Sequence, residues 1–134
     1  MKIFIATILT YLLSFAPQQG TPEVKRLTAE AYKEQHARQK GAVLLDVRTP
    51  AEYTKGHLKK AKNVDFLAGE VDSAMHTWNK SDTYYIYCAT GNRSGKAAKL
   101  LQEAGFEHVY NIGGYEDLEK AGIATRKEKK HKGE

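Results

Sequence analysis

The segment Cys88-Ala89-Thr90-Gly91-Asn92-Arg93 places a potential nucleophile ahead of small, turn-forming residues and a cation. Gly91 can take a positive φ without steric cost, and Asn92 tolerates it better than most residues. A backbone bent in that way turns successive N–H groups toward one point, and a helix starting near Ser94 would add its positive end. An anion belongs at such a centre. A cysteine sulfur held there is favoured as the thiolate by fixed donors and the dipole, with no need of a histidine base. The chemistry is nucleophilic: the thiolate attacks, a covalent intermediate forms on sulfur, and a second nucleophile releases it. Arg93 could hold an anionic substrate or balance charge on the intermediate.

Such a loop needs a scaffold, and the flanking sequence alternates between strand and helix patterns. Val24–Leu27 reads as a short strand; Thr28 is a good N-cap for a helix from Ala29 to about Lys40, closed by Gly41. The apolar run 42–47, broken only by Asp46, reads as a strand buried on both faces, and Thr49-Pro50 opens a short helix. The stretch 56–62 reads as a turn, 63–65 as a short strand, and 66–78 as a helix of uncertain limits. Tyr84–Tyr87 is a second buried strand ending at Cys88, followed by a helix from Ser94 to Ala104, a strand at 109–112, a Gly113-Gly114 turn and a last short helix at 115–121. This alternation predicts an α/β fold of three layers, a central parallel sheet with helices on both faces. Ligands in such sheets bind at the carboxyl ends of the strands, where both Cys88 and Asp46-Val47-Arg48 fall.

The chain has 134 residues, enough for one domain, with 41% hydrophobic and 28% charged residues. Its net charge of +5 is largely a tail effect, because Arg126, Lys127, Lys129, Lys130 and Lys132 crowd the end. Residues 125–134 are therefore expected to form a solvated, disordered basic tail, with nucleic acid not expected as a partner. Lys2 followed by the apolar run Ile3–Phe15 resembles the core of an export signal, with Ser14-Phe15-Ala16 before a cut. Residues 1–16 are expected to be a signal peptide or a retained anchor, 17–23 a linker and 24–124 the folded domain. A periplasmic or secreted address follows, with no stable membrane association once the leader is removed. A lone cysteine in such a chain forms no internal disulfide. His36, His76, His108 and His131 have no metal-ligand spacing with one another or with Cys88, so no metal is expected, and no other cofactor is expected either.

The donors around Cys88 would also suit the charged outer sulfur of a persulfide, and here the chain resembles the single-domain rhodanese family. The matching pieces are Val43-Leu44-Leu45-Asp46-Val47-Arg48, Pro50-Ala51-Glu52-Tyr53 with Gly56-His57-Leu58, Ala61-Lys62-Asn63-Val64, Tyr85-Ile86-Tyr87-Cys88 through Arg93-Ser94, Leu100 to Phe106, and Val109 to Gly114. The resemblance implies a rhodanese-like fold, Cys88 as the persulfide-forming residue, and Ala89, Thr90, Gly91, Asn92 and Arg93 as the loop that binds donor and transferred sulfur. It implies a thiosulfate-like donor and a cyanide or thiol acceptor; the chain itself is expected to be a monomer. Asp46, Arg48 and His57 read as structural. Lys60 departs from the family, which often has glycine in that turn, and Leu118 stands where tryptophan is frequent.

Two other readings stay in view. A cysteine-based phosphatase or arsenate reductase would use a loop one residue longer; four residues separate Cys88 from Arg93 here, leaving a cradle sized for one sulfur atom. A binding module that kept the fold without turnover would be expected to lose the cysteine. A thiol–disulfide oxidoreductase lacks its second cysteine.

Overall fold

The computed structural model describes Gly20 and residues 22–129, so the expected leader at 1–16 lies outside the described residues, as does the end of the basic tail. The strands are β1 (Lys25–Arg26), β2 (Val43–Asp46), β3 (Gly56–Leu58), β4 (Lys62–Asn63), β5 (Thr83–Cys88), β6 (His108–Gly114) and β7 (Thr125–Lys127). The helices are α1 (Ala29–Ala31), α2 (Pro50–Lys55), α3 (Glu70–Ala74), α4 (Asn92–Glu103) and α5 (Tyr115–Lys120). Five strands form a sheet in the order β1-β6-β5-β2-β4, every neighbouring pair parallel.

Strand β5 runs through the middle because its side chains suit two cores at once. Tyr84, Ile86 and Cys88 pack on one face with Val71, Met75, Leu101 and Phe106, while Tyr85 and Tyr87 pack on the other with Tyr32, Leu58, Ile112 and Leu118. Each large apolar side chain so buried contributes about 1.5–3 kcal/mol. The expected three-layer α/β fold with a parallel sheet is the one observed.

The differences fall where the pattern is short. Thr28 caps α1 as expected, its Oγ accepting from Ala31 N at 3.1 Å, but after one turn the chain widens into a π-type winding over Tyr32–His36. The expected turn at 56–62 contains β3, which pairs antiparallel with β7. The domain therefore continues through Lys127, and the disordered tail expected from 125 begins too early. Thr125–Lys127 is basic and hides no apolar alternation, so composition suggested a tail; what orders it is backbone pairing to β3 and the Lys127–Glu119 ion pair. Gly113-Gly114, expected as a turn, extends β6 past a bulge at Ile86/Tyr87, so that Gly114 lies opposite Cys88.

Candidate functional site

Cys88 ends β5 with no exposed surface, and the chain then arches over it: Ala89 and Thr90 are exposed, Gly91 is buried, and α4 begins at Asn92, slightly before the expected Ser94. Gly91 has φ +93°, and a Cβ there would also sit 3.3 Å from the Gly113 Cα, so both conformation and space select glycine. Gly114 serves the same arch from beneath, since a Cβ on it would lie 2.5 Å from the Ala89 carbonyl oxygen. Asn92, which could tolerate a positive φ, does not take one and is exposed in the first turn of α4.

The arch aims donors at sulfur. Gly91 N donates to Cys88 Sγ at 3.0 Å, and the Ser94 hydroxyl lies 3.4 Å away. Burial pushes the thiol up, but the Ser94 hydroxyl and the backbone N–H groups of Ser94, Thr90 and Gly91 outweigh it, so the thiol lies below its ordinary value. This is the cradle the loop composition implied, with one addition. Ser94 is fully buried and has a single proton to share between Cys88 Sγ and Asn111 Oδ1, 2.7 Å away. With a thiol, the S–H can donate to Ser94 Oγ while the hydroxyl donates to Asn111. With a thiolate, the hydroxyl turns to sulfur, and Asn111 Oδ1 keeps the Gly113 N–H at 3.1 Å. Asn111 is itself fixed by donating to the Gly91 carbonyl at 3.0 Å.

Arg93 stands beside the arch, but its guanidinium is engaged. It donates to both oxygens of Glu52, at 2.8 and 3.0 Å. Glu52 also closes the capping box of α2 with Thr49, and the Arg93 guanidinium, opposed by partial burial, holds its carboxyl at about 2. The pair is thus ionised at neutral pH and joins α2 to the start of α4.

Asp46 and Arg48 form a buried ion pair beneath the site: Arg48 Nη2 reaches Asp46 Oδ2 at 2.7 Å and the Gly56 carbonyl at 2.7 Å. Tyr87, adjacent to Cys88, donates its hydroxyl to Asp46 Oδ2 at 2.7 Å and accepts from Leu58 N at 3.0 Å. The network ties the ends of β2 and β5 to β3, the structural role expected of Asp46 and Arg48. His57 stacks on Tyr53 with ring centroids 3.7 Å apart and bonds its backbone carbonyl, in keeping with a structural role.

Ser94, Asn111 and Glu52 were missed as site residues. A serine directly after Arg93 lies in the first turn of α4, where a side chain can face back toward the sulfur, and an asparagine within the apolar run 109–112 is a visible anomaly. Glu52 is legible as a capping residue, yet nothing local shows that it meets Arg93 across 41 residues.

Residues 28–121 match the family model of the rhodanese-like domain. Over 74 residues the chain is 36% identical to thiosulfate sulfurtransferase PspE of Escherichia coli K12, covering 55% of this chain and 71% of that one. It is 34% identical over 93 residues to the chloroplastic thiosulfate sulfurtransferase 16 of Arabidopsis thaliana, covering 61% and 78% of the two chains. A solved Escherichia coli rhodanese with anions superposes with a TM-score of 0.56 at 34% identity, over 65% of this chain and 99% of that one.

Proposed function

This chain belongs to the rhodanese-like domain family, and we propose that it is a sulfurtransferase that carries one sulfane sulfur as a persulfide on Cys88. The observation that supports this best is the thiol favoured as thiolate at the centre of a donor-lined arch. In the first half-reaction the Cys88 thiolate attacks the outer sulfur of thiosulfate. A sulfur–sulfur bond forms to Sγ, and the old one breaks with its electron pair leaving on sulfite. In the second, cyanide or a thiolate takes the outer sulfur and the Cys88 thiolate departs. Electrons and atoms balance without a redox partner. Thiosulfate-dependent conversion of cyanide to thiocyanate by the purified chain tests the reading; its absence with every sulfane donor tried would end it.

Ser94 acts as a positioning residue for the thiolate. Ser94→Ala should slow the first half-reaction at neutral pH by about tenfold, the worth of one hydrogen bond to a charged group. The pH profile of Cys88 alkylation should move to higher pH in the same variant, which a purely structural role would not cause. An unmoved profile would remove Ser94 from the mechanism.

Arg93 has N–H groups left for an anionic donor after binding Glu52, but the carboxylate cancels much of its charge. Glu52→Gln keeps an acceptor for Thr49 and removes that charge. It should raise kcat/KM for thiosulfate by about threefold to tenfold, from roughly 1 kcal/mol of relieved repulsion between partly exposed charges. An uncharged donor should barely change. A fall with both donors would make Glu52 a loop brace and nothing more.

A further inference from the structure

We propose that the cavity beside Lys59 and Lys60 is a second ligand site, separate from Cys88, for a small multivalent oxyanion on an apolar body, the chemistry of an aryl phosphate. The cavity measures about 580 Å³, within the range of small-molecule pockets. Arg38, Lys40, Lys59 and Lys60 line it, and no aspartate or glutamate does. None of the four is in an ion pair among the described residues. Four uncompensated cations around one hollow raise its potential and concentrate anions there.

Backbone conformation adds an independent argument. Lys60, with φ 67°, is the only non-glycine residue in the left-handed region among the described residues. Glycine would occupy that position without the steric cost a lysine bears. Its side chain makes no hydrogen bond or ion pair among the described residues that would explain the retained cost. What the lysine does achieve is a cation at the cavity beside Lys59. Tyr32 and His36, which also line the cavity, are the two ends of the π-type winding, an uncommon helical form concentrated at functional positions.

The floor explains the apolar part of the ligand. Ala37, Ala42 and Leu44 supply apolar surface, with the buried Tyr85 behind them. The Tyr85 hydroxyl is held by Gln39 Oε1 at 2.5 Å and His36 Nδ1 at 2.6 Å. Having one proton, given to Gln39, it accepts from His36, which fixes both rings. Tyr85 lies three residues before Cys88 on the other face of the sheet, so occupation of this cavity does not fill the arch.

Calorimetric titration of the full chain with phenyl phosphate, with inorganic phosphate and phenol as controls, tests the proposal. Phenyl phosphate should bind more tightly than either control. Its affinity should fall by about tenfold or more between roughly 10 mM and roughly 1 M salt, as screening shortens from about 30 to about 3 Å. Lys60→Gly should bind severalfold more weakly with no loss of thermal stability and unchanged sulfur transfer, and Lys59→Gln should show the same weakening. Absence of binding to the wild type, or binding that survives both substitutions, would overturn the site. So would binding abolished by Cys88→Ser, because the ligand would then be in the arch.

Discussion

Incubated with thiosulfate, the protein should gain the mass of one sulfur atom, and Cys88→Ser should gain none. No other residue of the chain can receive the sulfur, because Cys88 is its single cysteine. The serine hydroxyl would occupy nearly the same volume at the end of β5, and the arch would still direct Gly91 N–H and Ser94 at it. Folding should therefore be preserved while chemistry is lost: an alkoxide is far less accessible than a thiolate at neutral pH, and oxygen cannot carry the sulfane atom as a persulfide. Thiosulfate-to-cyanide turnover should drop by at least about a thousandfold, to the uncatalysed background. The added mass on the wild-type chain should be removed by cyanide or dithiothreitol. Normal turnover by Cys88→Ser would refute the persulfide reading outright, and a wild-type chain that folds but takes up no sulfur would favour a binding module.

Much of this site was legible because it is local. Strand, small-residue loop and helix follow one another within Tyr84–Ala104, and the chemistry depends on their immediate succession. Gly91 announced the positive φ it adopts, and Thr49-Pro50-Ala51-Glu52 announced its capping box. What was not legible is long-range. Arg93 was read as a group for the donor, but its first partner is Glu52, brought to it by the packing of α2 against the start of α4. The β3–β7 pair was invisible for a related reason: three-residue strands such as Gly56-His57-Leu58 and Thr125-Arg126-Lys127 have no periodicity to detect, and each exists because the other supplies its hydrogen bonds. The π-type winding after α1 likewise leaves no trace in a pattern that fits an ordinary helix through Lys40.

The buried pair beneath the arch should have the largest effect on stability. Arg48→Met retains much of the side-chain bulk but leaves the Asp46 carboxylate, which has no exposed surface, with only the Tyr87 hydroxyl and the Arg48 backbone N–H as donors. Removing one member of a buried ion pair costs about 3–5 kcal/mol, chiefly because the other charge is stranded. Arg48 has further duties: it donates to the Gly56 carbonyl at 2.7 Å and lies 4.4 Å from the Tyr115 ring centroid, so β3 and α5 would loosen with it. At roughly 5 °C per kcal/mol for a domain of this size, the melting temperature should fall by about 15 °C or more. The double variant Asp46→Asn/Arg48→Met separates charge from packing. If the stranded carboxylate dominates, the double variant should be more stable than Arg48→Met alone, with a coupling energy of at least about 1 kcal/mol in a double-mutant cycle. Additive losses would instead assign the effect to the guanidinium's contacts with Gly56 and Tyr115. Because Tyr87 bridges Asp46 to Leu58 and directly precedes Cys88, sulfur uptake measured well below the melting temperature should fall with the single variant and recover in part with the double one.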